Sequence, residues 1–311
     1  MAKRKDNQNG AGRVPGRHAQ KPGATGIAKG RPPLAKKPRA ALSAEKTRQL
    51  IRTHHQLNKQ LALAEKQGKA DEAAELKRRI EQSGGLESYQ QASILGQANE
   101  RGGDSSVVLM EWLAPLNTAM RAAKPKLRLL EVGALSTKNA CSRSDVFEIE
   151  RIDLNSQDAG IKQQDFMARP LPARREEKFD IISLSLVLNF VPSAEGRGEM
   201  LRRTCQFLAT GIEYDNSGEL HNTFPALFLV LPAPCISNSR YMTDEHLGRI
   251  MTSLGYTLLR VKQTAKLVYY LWHLQDRHEV AHRHFPKYEV NTGRDRNNFS
   301  IVLKPEPRAV R

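Results

Sequence analysis

Two residues of this 311-residue chain have the type and spacing to hold a ribose: Gly133 and, twenty residues on, Asp153. Gly133 closes the run Leu127-Arg128-Leu129-Leu130-Glu131-Val132, which reads as a buried strand ending at a ligand-facing turn. A Cβ at such a turn would block the approach of the backbone to a ligand. Asp153 lies near the end of a second strand, Val146 to Leu154, where a carboxylate can accept two hydrogen bonds from a vicinal diol. Their separation is close to that of the acid that follows the second strand of a nucleotide-binding α/β fold. The turn itself, Gly133-Ala134-Leu135-Ser136, lacks the second and third glycines of a pyrophosphate fingerprint. It therefore favours a ligand without phosphate. The same pair would also serve to end two strands of an ordinary βαβ unit, so on these residues alone both readings stand.

The elements that would carry them follow in order. Ile161 to Phe166 is a short third strand, Phe179 to Leu188 a long apolar fourth, and Ala194 to Leu208 a helix. Ala226 to Leu231 is a fifth strand, Thr243 caps a helix to Leu254 that Gly255 closes, and Tyr256 to Val261 begins a sixth. Leu267 to Leu274 and Phe299 to Leu303 both qualify as a seventh, antiparallel strand. Strands alternating with helices predict a Rossmann-like, doubly wound, seven-stranded α/β sheet. Its carboxyl ends gather Glu131, Gly133, Asp153, Asp165, Phe166 and the Ser183 to Pro192 turn. Asp165 could accept from an exocyclic amine while Phe166 covers a base, or Phe166 could simply pack in the core.

Upstream, Ser43 caps the first of two helices whose Leu50, Leu57 and Leu61, then Leu76 and Ile80, form apolar stripes, giving a helical hairpin over 43–83. His54 and His55 on it are adjacent, so they share no helix face and are expected in solvent. Residues 84–126 make a polar loop around Arg101-Gly102-Gly103-Asp104-Ser105-Ser106 and a helix capped by Ser105 or Ser106, either a lid or a linker into the core domain at 127–304.

Residues 1–42 carry eleven Lys/Arg against one acid, so +10 of the net +16 lies there, among Gly, Pro and Ala with few large apolar side chains. Such a segment cannot bury enough surface to order itself. Its clusters Lys3-Arg4-Lys5 and Lys36-Lys37-Pro38-Arg39 suit nuclear import and phosphate contact, or plain solubility. No apolar run reaches 18 residues and no secretory signal opens the chain, so a soluble intracellular protein without membrane contact is expected. Cys141, Cys205 and Cys235 have no CxxC spacing and read as buried thiols, and His278, His282 and His284 match no metal motif.

Taken together, GGLESYQQASILGQANERGGDSS, LLEVGALS, IDLNS, QQDF and FDIISLSLVLNFVP resemble the fungal nucleolar adenine-N1 methyltransferases of 25S ribosomal RNA, within the class I S-adenosylmethionine-dependent methyltransferases. The resemblance spans Gly84 to Leu303 and implies S-adenosyl-L-methionine as cofactor, large-subunit ribosomal RNA or a pre-ribosomal particle as partner, and the nucleolus of the nucleus as location. It implies that Gly133 approaches the cofactor, Asp153 holds its ribose, Asp165 and Phe166 flank its adenine, and Ser183 lies beneath it. Glu131 belongs to the same group, and Arg101 would bind the methionine carboxylate bidentately. Asn189 or nearby carbonyls would stabilise the cationic methylated base and Phe190 would stack on it, though Asn189 also fits a strand-ending turn. The core equally resembles a metazoan S-adenosylmethionine sensor that signals through protein partners. The basic tail favours the enzyme, and the missing GxGxxG disfavours a nicotinamide dehydrogenase.

Overall fold

The computed structural model describes residues 44–85, 103–156, 158–211, 218–275 and 283–305. The basic tail, Ser43, Arg101, His278 and His282 lie outside them, as does the side chain of His55. Helices α1 (Ala44–Lys66) and α2 (Ala70–Gln82) form the expected hairpin, closed on Leu57, Ala64, Ala73 and Leu76. His54 departs from expectation: it is buried, and burial lowers its imidazole below the ordinary range.

The core domain opens with α3 (Ser106–Leu113) and α4 (Asn117–Ala122). Neither serine caps α3 with its side chain. Asp104 supplies the acceptor instead, taking the backbone N–H of Ser106 at 2.9 Å and its hydroxyl at 2.6 Å. Then come β1 (Leu127–Val132), α5 (Ala140–Arg143), β2 (Phe147–Asp153), β3 (Lys162–Gln163), β4 (Ile181–Ser185), α6 (Ala194–Phe207), α7 (Gly218–His221), β5 (Ala226–Pro232), α8 (Pro234–Ser237), α9 (Asp244–Ser253), β6 (Tyr256–Gln263) and β7 (Leu267–Leu274). The seven strands form one sheet in the order β3-β2-β1-β4-β5-β7-β6, parallel except for β7, which runs antiparallel to both neighbours.

Alternation along the central strands sends side chains to two cores. Leu130, Ile182, Leu227 and Leu229 meet α6 and α9 through Leu201, Phe207, Leu247 and Ile250, whereas Leu129, Ile181, Phe228 and Val230 meet α3 and Met120. Both faces of β4 and β5 are thereby covered, which explains their unbroken apolar sequences.

Three predicted bounds shift. The third strand pairs over two residues only, because the Asp165 carboxylate turns back onto the N–H of Met167 at 2.8 Å and takes Asp165 and Phe166 into a turn. The fourth strand stops at Ser185: Leu186 has φ +58°, and Leu188–Phe190 is a short 3-10 turn. The seventh strand is Leu267–Leu274, while Phe299 to Leu303 lies buried against α6 at Gly198, where a Cβ would collide with the Val302 carbonyl.

Candidate active site

The carboxyl ends of β1, β2 and β4 meet where the sheet order reverses, because the chain moves outward from β1 through β2 to β3 and then returns to β4 on the other side. Gly133 turns the chain off β1 with φ +73°, a left-handed conformation that a side chain disfavours. Its N–H and that of Ala134 both donate to the Ile152 carbonyl, at 2.8 and 3.1 Å. A Cβ on Gly133 would lie 2.5 Å from Cγ2 of Val187, so the tips of β1 and β4 approach each other through a missing side chain. The strained Leu186 immediately precedes Val187 and marks the same junction.

Asp153 ends β2 as predicted, half-buried, with one carboxylate oxygen accepting from the N–H of Asn155 at 2.9 Å. Asp165 is exposed on the adjoining turn. Phe166 is not. Its ring is 2% exposed in the core, 5.3 Å from that of Phe207, with the Arg203 guanidinium 5.8 Å away. The ring's partners are therefore protein groups, and the turn set by Asp165 rather than an extended strand is what sends it inward.

Glu131 and Ser183 are register partners on β1 and β4, both largely enclosed. Glu131 accepts from Nδ2 of Asn139 at 2.6 Å and lies 3.8 Å from Nε of Arg151. Burial raises its carboxyl above the ordinary range, against the hydrogen bond from Asn139 and the charge of Arg151. Asn139 also caps α5, accepting from the Ser142 N–H at 2.8 Å. Glu131 thus acts on the turn after Gly133 by holding its far end.

Three residues missed by the sequence reading complete the support. Ser185 at the tip of β4 shares a 2.7 Å hydrogen bond with Ser105, tying the start of α3 to the strand. Asp104 reaches the Ala140 N–H at 2.5 Å, tying α3 to α5. Asn139 is the third. The alternating serines of FDIISLSLVL marked Ser185, but nothing local marked contacts spanning 80 and 36 residues. On the 3-10 turn beyond β4, the side-chain amide oxygen of Asn189, Oδ1, is buried with no hydrogen-bond partner among the described residues, and Phe190 is half-buried beside it in sequence. An orphaned buried acceptor is costly unless a ligand completes it.

A cavity of about 340 Å³ elsewhere is lined by Glu150, Lys162, Arg169 and Phe207 among others, none of them a strand-tip site residue. Glu150 is already paired there, to Arg169 at 2.8 Å and Lys162 at 3.1 Å. Among the described residues no group of three or more His, Cys, Asp or Glu is arranged to hold a metal, and no helix is long and apolar enough to cross a membrane.

A mixed sheet with this strand order, its single antiparallel strand in the sixth place, a glycine turn after β1 and an acid at the tip of β2 define the Rossmann-like methyltransferase fold. Within that class the chain belongs to the family described as 25S rRNA (adenine(2142)-N(1))-methyltransferase, Bmt2, whose model matches residues 74–301. It is 39% identical over 225 residues to the 25S rRNA (adenine(2142)-N(1))-methyltransferase of Saccharomyces cerevisiae, covering 72% of this chain and 61% of that relative. The chain therefore spans less than two thirds of the length of that relative. It is 40% identical over 227 residues to the 25S rRNA adenine-N(1) methyltransferase of Schizosaccharomyces pombe, covering 70% of this chain and 76% of the relative. Among solved structures, the N-terminal domain of EvdMO1 with SAH bound matches 56% of this chain and 86% of its own, at 11% identity and a TM-score of 0.36, too distant to add to the strand order.

Proposed function

We propose that this chain transfers a methyl group from S-adenosylmethionine to N1 of an adenine in large-subunit (25S) ribosomal RNA, on RNA or pre-ribosomal particles in the nucleolus. The observation that carries the reading is the placing of Gly133 and Asp153 at the ends of β1 and β2 and of the unpaired side-chain oxygen of Asn189 on the turn after β4, in a family whose curated relatives bear that activity in their names.

The residues suit the cofactor. Asp153 offers a carboxylate to a ribose diol, Asp165 an exposed acceptor to an adenine amine, and Gly133 a backbone free of Cβ. Ser183 lies on the strand beneath, and Glu131 fixes the turn through Asn139. Arg101, outside the described residues, keeps its proposed role on the methionine carboxylate. When bound, S-adenosylmethionine supplies an electrophilic sulfonium methyl. Adenine N1 carries an in-plane lone pair and is largely unprotonated at neutral pH, so the protein must orient the base more than deprotonate it. Methylation leaves the base cationic. Oδ1 of Asn189, buried and unpartnered among the described residues, is an acceptor for that charge, and the Phe190 ring is a stacking surface for an unpaired base. The clusters Lys3-Arg4-Lys5 and Lys36-Lys37-Pro38-Arg39 supply the nuclear address.

The test is methyl transfer from labelled S-adenosylmethionine to total RNA from cells lacking the protein, with the intact chain beside Asp153→Ala. Label recovered as 1-methyladenosine in large-subunit RNA is expected. The variant should require about 10- to 100-fold more cofactor, the loss of one or two charged hydrogen bonds. Cofactor binding without transfer, even on pre-ribosomal particles, would leave the chain a sensor.

A further inference from the structure

We propose that Lys59, Arg197 and Lys287 form a phosphodiester-binding site beside the ends of β4 and β5, which grips the RNA backbone next to the target adenine. The inference rests on the RNA-methylating reading of the site above and adds where its substrate is held.

Arg197, on α6, is 2% exposed. Its Nη1 donates to the Ser300 carbonyl at 2.7 Å, its Nη2 to the Pro192 carbonyl at 3.4 Å, and its guanidinium carbon lies 4.8 Å from the Phe299 ring centroid. Its Nε–H has no acceptor among the described residues. All of these partners are neutral, so a full positive charge is buried with no carboxylate in ion-pair contact among the described residues. That is an expensive arrangement unless an anion completes it.

More positive charge gathers around it. Cys235 lies just past β5 at the start of α8, and both Arg197 and Lys59 act on its thiol, which burial pushes up to about 12 and so keeps neutral. Lys59 is lowered by burial and then by repulsion from Arg197 and Lys287. Lys287 lies 4.1 Å over the ring of Tyr241, which the Arg240 guanidinium also approaches, at 6.0 Å; the Tyr241 N–H donates to Oγ of Ser239 at 3.1 Å, and that hydroxyl donates at 2.6 Å to the carbonyl of Phe299, whose ring Arg197 covers. None of these four cations makes a salt bridge among the described residues. Among the described residues the carboxylate acting on Arg197 is that of Glu195, and burial outweighs it.

Location selects the ligand. Pro192 belongs to the turn after β4, three residues from Asn189, and Cys235 follows the parallel neighbour β5, so the cluster shares the end of the sheet with the candidate site. Several cations without a counter-carboxylate fit a phosphate, and a phosphate held against the turn that carries Asn189 belongs to the same polynucleotide as the base.

Arg197 also anchors the C-terminal segment through Ser300, so the test uses the two lysines. The full chain and a Lys59→Glu/Lys287→Glu variant would be titrated with a single-stranded 25S rRNA transcript across a range of salt, beside cofactor titration and thermal denaturation. Expected are an RNA Kd raised at least tenfold at low salt and a log–log salt slope smaller by about 1.4, the value for two single-strand phosphate contacts. The KM for RNA should rise, with cofactor affinity and melting unchanged. Unchanged RNA affinity, slope and KM in a folded, cofactor-binding variant would overturn the phosphate site and leave the methyltransferase reading intact. An intact chain that methylates no RNA would sink both.

Discussion

Gly133 carries two constraints that a substitution can separate. Its φ of +73° costs any other residue about 1 kcal/mol, and the 2.5 Å approach of a Cβ to Val187 adds an overpacking cost of about 1–3 kcal/mol. Gly133→Ala should therefore lower stability by about 2–4 kcal/mol and weaken cofactor binding. In that background Val187→Ala removes the colliding methyl but not the backbone strain. The double variant should recover part of the stability, a coupling that urea denaturation of the four proteins in the cycle would measure. Glu131 makes a prediction in pH. Its carboxyl is raised by burial, so the folded protein holds that proton more tightly than the unfolded chain. Ionised Glu131 thus weakens the fold above its folded pKa, and the penalty fades as pH falls toward 4.5, its ordinary value. Glu131→Gln, which keeps an acceptor for Asn139, should melt higher than the parent at neutral pH, with the gap closing below about pH 4.5. A gap that is constant with pH would assign the effect to packing. The places of Gly133 and Asp153 at the ends of β1 and β2 were legible in the sequence because an apolar strand closed by glycine and a second strand closed by an acid stand at a fixed spacing. Phe166 stood open between covering a base and packing in the core, and the structure selects the core, since its neighbour Phe207 lies 41 positions on and only the folded chain brings the rings together.

Among the elements, the short helices depend on side chains from outside themselves. Asp104 takes the N–H and hydroxyl of Ser106 and the N–H of Ala140, so one carboxylate caps α3 and joins it to α5. Asp104→Ala should cost about 1–3 kcal/mol, the loss of a cap together with an unsatisfied backbone donor. Because α5 begins at Asn139, which Glu131 holds, the loss should also loosen the turn after Gly133 and raise the Kd for cofactor. A thermal shift without any change in that Kd would confine Asp104 to a structural role. The sequence reading placed the cap on Ser105 or Ser106 because both have the right type. Asp104 prevails because its two oxygens serve two helices at once. The seventh strand shows a different limit. LVYYLWHL and FSIVL are both apolar enough for a central strand, and only the full ladder from Ala226↔His273 to Pro232↔Leu267 selects the first. The second segment packs where Gly198 leaves room on α6, and a single glycine within a helix does not announce what lies on it.

For the whole molecule, the doubly wound sheet was readable because alternating strands and helices admit few topologies once crossovers must be right-handed. Charge was readable too, but only as a sum. Of the net +16, residues 1–42 hold +10, whereas the cations beside Cys235 come from α1, α6 and the segment after β7 and form a cluster only in the fold. The two sets should act differently on RNA. A run of Lys and Arg contacts phosphates by charge and without regard to base sequence, so deleting residues 1–42 should weaken every RNA alike. If about half of its eleven Lys and Arg meet single-strand phosphates, the log–log salt slope should fall by roughly 4, and the affinity difference should vanish at high salt. Cofactor Kd should not move, because Gly133, Asp153 and their supports lie outside the deleted segment. The preference for a 25S transcript over an unrelated RNA of equal length should also survive, since that preference would come from groups fixed relative to the candidate site. Filter binding of both RNAs to the truncated chain decides the matter. A preference lost together with the tail would make the basic segment, and not the rim beside β4 and β5, the part of the protein that recognises its RNA.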